Sequence, residues 1–246
     1  MRDINAFLNK LSKDVLDLVF PRKCPFCRAL TEKGELICEK CRKALPYCSE
    51  ERKGADFGRV VAPLYYEGTV RDAILRYKFY GQMGCLDPFG QLMAECAAEH
   101  YSGEFDAVTW VPVSKKRLRK RGFDQSRYLA GSLCVDWHVE PQETLRKTVD
   151  NPAQSSLNDR AARRANVLGV YEAVAPEKIA GKRFLLIDDI CTTGSTLGEC
   201  AKVLRAAGAA DVVCLTLAMV PKEKAESDGM LSDPDEYNGN DPFMNF

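Results

Sequence analysis

Apolar residues recur along this chain with two different periods, and the change of period divides it into four stretches. Residues 1–20 place Ile4, Phe7, Leu8, Leu11, Val15, Leu18 and Val19 at helical spacing, interrupted by Lys10, Lys13, Asp14 and Asp17. That spacing predicts an amphipathic N-terminal helix ended by Pro21. Residues 21–52 are poor in apolar runs and rich in cysteine and turn residues. Residues 58–221 alternate short apolar runs with helix-period segments, the pattern of an α/β sheet. Residues 222–246 lose both periods; acidic and punctuated by Gly and Pro, they are expected to be a disordered tail.

Within the long third stretch, strands are expected at Val60–Tyr66, Ala107–Val113, Arg183–Ile190 and Val212–Val220. Helices are expected at Thr69–Tyr80, Phe89–Tyr101, Ser126–Val135 and Thr196–Ala207, the last closed by Gly208. The strand Ala107–Val113 runs into a basic loop.

Composition changes this picture in two places. The 246-residue chain has no formal net charge, with 35 basic and 35 acidic residues. The charge is nevertheless uneven, because residues 222–246 hold seven acids against two lysines. Much of the positive excess of the remainder sits in Lys115–Arg121. The 11 cysteines would suggest a disulfide scaffold in a short secreted protein. The N-terminal apolar set is broken by charges, so it does not form the continuous apolar core of a signal peptide. No stretch approaches the roughly 18 apolar residues of a membrane span. A cytoplasmic protein with reduced thiols is expected.

Four cysteines form two pairs, Cys24-Pro-Phe-Cys27 and Cys38-Glu-Lys-Cys41. Each pair can chelate from one tight turn, and two pairs complete a tetrahedral thiolate site for Zn²⁺. About thirty residues cannot bury enough apolar surface to fold unaided, so a metal would supply the missing free energy. Four sulfurs leave no open coordination position, which makes the site structural. Cys48, seven residues on, is a less suitable replacement ligand.

A second constellation follows the run Phe184–Ile187. The strand ends in Asp188 and Asp189, and then Ile190-Cys191-Thr192-Thr193-Gly194-Ser195-Thr196 leads into a helix. A small-residue turn at a helix N-terminus offers several backbone N–H donors in a positive field, and its hydroxyls add more, which suits a phosphate monoester. Two acids just before such a turn would repel phosphate. They can instead accept hydrogen bonds from sugar hydroxyls or hold a hydrated Mg²⁺. Donors for phosphate beside acceptors for hydroxyls point to a phosphorylated ribose. A merely capped helix would account for one acid and one hydroxyl, not two acids and four hydroxyls. No G-x-x-x-x-G-K-[ST] occurs, which excludes a P-loop. Cys191 lies near the helix start but has no evident base, and His100 and His138 have no ligand-like neighbours. All three are expected to be structural.

At Leu185–Thr196 the chain resembles the phosphoribosyl pyrophosphate-binding motif of type I phosphoribosyltransferases. Residues 1–220 together resemble the ComF family, bacterial proteins linked to DNA uptake. The resemblance rests also on the cysteine pairs, on Trp110-Val-Pro-Val-Ser114 leading to Arg121-Gly-Phe-Asp-Gln125, and on Asn151-Pro-Ala-Gln154 with Arg160 and Arg164-Ala-Asn166. It implies a Rossmann-like, mostly parallel sheet with a small N-terminal zinc ribbon, binding phosphoribosyl pyrophosphate and Mg²⁺. Asp188 and Asp189 would contact the ribose 2′- and 3′-hydroxyls. Thr192, Thr193, Gly194, Ser195 and Thr196 would cradle the 5-phosphate. Ser114, Lys115 and Lys116 would face the pyrophosphate, and a hood over 151–166 would bring Arg160, Arg163 or Arg164 onto the leaving group. Some purine-using relatives carry an acid, a general base, at the position of Thr192. Its absence weakens a purine-salvage reading, leaving ammonia, an amine or no nucleophile open. The implied activity is phosphoribosyl transfer to an unidentified nucleophile. The alternative is a non-enzymatic accessory of DNA uptake whose basic run binds single-stranded DNA and whose pocket senses the ligand. A solvated face is a third reading of that run. The tail ends Asn240-Asp-Pro-Phe-Met-Asn-Phe246, of a kind that docks into basic pockets, although a plain disordered end is the simpler reading.

Overall fold

The computed structural model describes residues 22–149 and 169–223. The helix expected over 1–20, the hood segment 151–166 with Arg160, Arg163 and Arg164, and all but the first two residues of the tail lie outside the described residues.

In chain order the elements are α1 (Glu39–Ala44), β1 (Arg52–Gly54), β2 (Gly58–Val61), β3 (Leu64–Tyr65), α2 (Gly68–Tyr80), a 3₁₀ turn (Met83–Cys85), α3 (Leu86–Tyr101) and β4 (Ala107–Trp110). They continue with α4 (Lys115–Arg121), α5 (Gln125–Cys134), β5 (Leu145–Lys147), β6 (Tyr171–Ala173), α6 (Pro176–Ile179), β7 (Arg183–Cys191), α7 (Ser195–Ala206) and β8 (Asp211–Met219). The main sheet runs β1-β2-β8-β7-β4, with β3 also on β8; every pairing is parallel except β1 with β2. A separate antiparallel pair joins β5 and β6.

Strand alternation builds a core on each face of the sheet. On β7, Leu185 and Ile187 face a layer holding Ile74, Tyr77, Phe89, Met93, Leu129 and Leu133. Phe184 and Leu186 face the opposite layer, with Leu197, Cys200 and Leu204 of α7. This period of two is what a strand buried on both faces requires, and it explains the continuous apolar run.

Two expectations are corrected here. The strand expected over Val60–Tyr66 is interrupted between β2 and β3 at Pro63, which has no N–H to give to a ladder. The register on β8 does not slip across the break: Val61 pairs with Leu215 and Leu64 with Ala218. The second correction concerns the basic run. It is not a loop but the helix α4: Ser114 caps it by accepting from the Arg117 N–H at 3.3 Å, and Gly122 closes it in the left-handed region at φ 82. Lysine, arginine and leucine are good helix formers, so a cap and a stop were enough. The preceding strand ends at Trp110, ahead of Pro112.

The cysteine module packs against the main core. Phe26, Ile37 and Leu45 are buried in the layer that holds Phe89, and Phe26 lies 6.1 Å from the Phe89 ring. The Arg76 guanidinium donates to the Pro25 carbonyl at 2.7 Å. Among the described residues, no helix is long and apolar enough to cross a membrane.

Candidate functional site

The thiols of Cys24, Cys27, Cys38 and Cys41 all lie within 4.8 Å of one another, and Cys27 Sγ is 3.6 Å from Cys38 Sγ. A zinc–sulfur bond of about 2.3 Å in a tetrahedron sets sulfur–sulfur edges near ~3.8 Å, so four thiolates fit the ion. The first pair sits in a knuckle closed by the Arg28 N–H on the Cys24 carbonyl at 2.9 Å. The second pair straddles the start of α1, with Cys38 at its N-cap. Burial raises the Cys24 thiol, but amide donors from Cys27, Cys38 and Phe26 outweigh it and bring the group down to about 7. Cys48 stands outside the cluster, its thiol 3.9 Å from the Glu50 carbonyl.

Because β4, β7 and β8 are parallel, their C-terminal ends meet at one edge of the sheet, where open α/β sheets place ligands. β7 brings Asp188 and Asp189 to this edge. Asp188 Oδ1 accepts from Ser126 Oγ at 2.9 Å and from the Asp189 N–H at 2.9 Å. Desolvation, then the neighbouring Asp189 charge, raise the Asp188 carboxyl to about 7. Asp189 instead meets a cation: Lys78 Nζ lies 2.8 Å from Asp189 Oδ2, with both side chains largely buried. The two acids are therefore not equivalent. One is held by an internal cation, and the other is left able to take or lose a proton near neutrality.

After Cys191 the chain turns through Thr192 and Thr193 to Gly194, the N-cap of α7 at φ 78. Thr193 Oγ1 and Ser195 Oγ are 2.8 Å apart, so the hydroxyls cluster at the helix N-terminus. A side chain at Gly194 would meet two obstacles, the left-handed φ and the Phe57 ring, 2.4 Å from an added Cβ. Gly194→Ala is therefore expected to lose about 1–3 kcal/mol from the backbone conformation alone, with the ring clash added. Urea denaturation checks this; an alanine variant as stable as the wild type would contradict it. Cys191 is buried, and burial pushes its thiol up to about 12, as suits a structural residue.

The exit of β4 lies alongside: the Val111 N–H bonds the Ile187 carbonyl at 2.9 Å. Asp124, the N-cap of α5, accepts from the Val113 N–H at 3.3 Å and the Arg127 N–H at 3.1 Å. Burial raises its carboxyl in spite of those donors. Beyond it, Ser114, Lys115, Lys116 and Arg119 line a cavity of about 470 Å³ with Arg146, Lys147 and Thr148 from the end of β5. Lys147 lies over the Tyr171 ring at 5.4 Å, and Arg146 pairs with Glu172 at 3.4 Å.

The structure thus gathers Asp188, Asp189 and Thr192–Thr196 at one strand end, and Ser114, Lys115 and Lys116 at the exit of the adjacent strand. Sequence reasoning missed Lys78, Asp124, Ser126, Arg146 and Lys147. Two of these carried a signal. Lys78 stands four residues after Ile74, on the apolar face of its helix, where a charge calls for a partner. Asp124 stands just before a helical pattern, as an N-cap does. Ser126, Arg146 and Lys147 carried none.

Two protein-family models agree with this architecture. Residues 15–60 match the double zinc ribbon domain family and residues 140–242 the phosphoribosyl transferase domain family. The chain is 26% identical over 201 residues to DNA utilization protein YhgH of Escherichia coli (strain K12), covering 79% of this chain and 84% of that one. It is 28% identical over 194 residues to competence protein ComFC of Streptococcus pneumoniae, covering 79% of each. Phosphoribosylpyrophosphate synthetase from Mycobacterium smegmatis overlaps 53% of the chain at 21% identity and a TM-score of 0.34; the overlap spans a third of that structure. The resemblance to the ComF proteins stands: a zinc ribbon is joined to a phosphoribosyltransferase-type domain.

Proposed function

We propose that this chain, a zinc ribbon followed by a phosphoribosyltransferase-type domain, binds phosphoribosyl pyrophosphate with Mg²⁺ and transfers the phosphoribosyl group to a nucleophile, releasing pyrophosphate. One observation carries the reading: the acid pair near the end of β7 is followed, after Ile190 and Cys191, by a hydroxyl-lined turn at the N-terminus of α7. Asp188 and Asp189 accept from the ribose 2′- and 3′-hydroxyls. The N–H groups and hydroxyls of Thr192–Thr196 hold the 5-phosphate. Ser114, Lys115 and Lys116 receive the diphosphate; Arg160 and Arg164, which the family resemblance assigns to the leaving group, lie outside the described residues. Mg²⁺, when bound, would offset charge on the diphosphate. As the bond at C1 breaks, that carbon gains oxocarbenium character, and the protein's part is to position the groups and neutralise the departing charge.

Calorimetric titration of phosphoribosyl pyrophosphate with Mg²⁺ into zinc-loaded protein tests this. Wild type is expected to bind, and the Asp188→Asn, Asp189→Asn double variant to lose roughly a hundredfold or more in affinity. No binding by folded wild type would end the proposal. The titration also has a pH signature. Ionised Asp188 accepts from a hydroxyl far more strongly than the protonated acid, and its carboxyl sits near 7. Affinity is then expected to fall by roughly tenfold per pH unit below that point. Stability moves the opposite way. An acid with a raised folded pKa disfavours the folded state once ionised, so stability from this group declines as pH rises from about 4 to about 7. Asp188→Asn alone is therefore expected to stabilise the fold by about 1–2 kcal/mol at pH 8, after allowance for partial exposure, while weakening binding.

A second reading follows from α4, which presents six basic residues in seven with none buried, and from relatives named for competence and DNA utilization. It is an accessory role in DNA uptake, with α4 on the backbone of single-stranded DNA and the pocket as a ligand sensor. Affinity for an oligonucleotide that falls steeply with salt would favour it. An absence of binding at low salt would remove it.

A further inference from the structure

The segment that follows the paired cysteines, residues 50–57, converges on the Thr192–Thr196 turn and the start of α7. Arg52 is its centre. Its Nη1 donates to the Thr192 carbonyl at 2.9 Å, its Nη2 to the Val220 carbonyl at 2.7 Å, and its Nε to Glu50 Oε1 at 3.0 Å. The side chain is about nine-tenths buried. The Phe57 ring closes against Gly194, and Asp56 meets Lys202 of α7 at 3.1 Å. The Arg205 guanidinium donates to the Asp56 carbonyl at 2.7 Å.

A buried guanidinium on two backbone carbonyls and one carboxylate has a cost, and a structure that needed only to cover a strand end could use an apolar residue. What the fork adds is direction. In a trans peptide the carbonyl of one residue and the N–H of the next point opposite ways. Holding the Thr192 carbonyl toward Arg52 therefore turns the Thr193 N–H away from it, toward the other side of the turn. A phosphate held by backbone donors needs those donors aimed before it arrives, because reorienting them on binding would cost affinity.

We infer that Arg52, delivered by the segment leaving the zinc module, is a positioning residue that presets the phosphate turn by clamping the Thr192 carbonyl. The inference deepens the ligand reading above and rests on it for the identity of the ligand. It also gives the N-terminal module a task beyond covering core. The last paired cysteine, Cys41, stands eleven residues before Arg52, and the intervening chain is pinned along the sheet by the Tyr65 N–H on the Pro46 carbonyl at 2.8 Å and the Cys48 N–H on the Pro63 carbonyl at 3.0 Å.

The test compares wild type, Arg52→Lys, Arg52→Met and Lys222→Ala in the full, zinc-loaded chain. Lys222 shares Glu50 with Arg52, at 3.1 Å, but does not touch the turn carbonyl. Calorimetry with phosphoribosyl pyrophosphate and Mg²⁺, run well below each melting temperature, should show Arg52→Lys weakened roughly tenfold or more and Arg52→Met at least as much. Lys222→Ala should stay within about twofold of wild type. Amide resonances of Thr193 and Gly194 should shift in Arg52→Lys without ligand. Arginine variants that bind like wild type would overturn the clamp, as would Lys222→Ala weakening as much as they do. If wild type itself does not bind, the ligand reading fails separately. The amide resonances then decide the clamp, and unchanged Thr193 and Gly194 signals in Arg52→Lys would overturn it.

Discussion

Replacing Lys78 with Met is expected to lower folding stability by about 3–5 kcal/mol, although the residue lies at the end of a helix far in sequence from the acid pair. The Lys78 side chain is 7% exposed and that of Asp189 14%, with 2.8 Å between charge centres. Met reproduces the aliphatic length of Lys, so packing is largely retained and the loss is electrostatic. What remains is a carboxylate beside Asp188 with its counter-ion gone. Asp189→Asn in the Lys78→Met background should restore most of the stability, because both charges are then absent and little is left unpaired. Urea denaturation of the two single variants and the double variant, read as a thermodynamic cycle, measures this. A Lys78→Met protein within about 1 kcal/mol of wild type would show that the pair is too well solvated to matter.

Removing zinc, or changing Cys41 to Ser, is expected to have the second large effect, a loss on the order of 5 kcal/mol or more. Metal free energy is folding free energy for a segment this small, because no preformed site exists in the unfolded chain. Here the consequence reaches further than the segment. Phe26, Ile37 and Leu45 belong to the same buried layer as Phe89 and Tyr77, so loosening the cysteine turns uncovers one face of the main core. Zinc content by mass spectrometry should show an ion lost in the Cys41→Ser variant, and thermal unfolding should shift down by roughly 10–20 °C or split into two steps. Stability unchanged by chelation would refute a structural metal.

Much of this molecule was legible from its residues. The short continuous apolar run Phe184–Ile187, bounded by Arg183 and the acid pair, announces a buried parallel strand, because it is too short for a buried helix and a strand covered on both faces is apolar throughout. The cysteine pairs announce their cluster because two turns and one tetrahedron leave few other arrangements. The acid pair and hydroxyl turn are contiguous, so local sequence already places them side by side. Even the misread basic run carried its cap and stop in Ser114 and Gly122. It looked like a loop because its charges drew attention to what it could bind rather than to how well Lys, Arg and Leu build a helix.

Other features were decided only when the chain closed. Lys78 and Asp189 are 111 positions apart in numbering, as Arg52 and Thr192 are 140 apart. No local period relates either pair. Which acid meets a buried cation follows from which helix end the sheet brings alongside. The direction of the turn carbonyl follows from a guanidinium arriving on a different strand. Composition and period determine the elements and the contiguous motif, because those depend on neighbours along the chain. The electrostatic state of the site depends on neighbours across space, where desolvation makes every charge require a partner, and only the tertiary structure selects that partner.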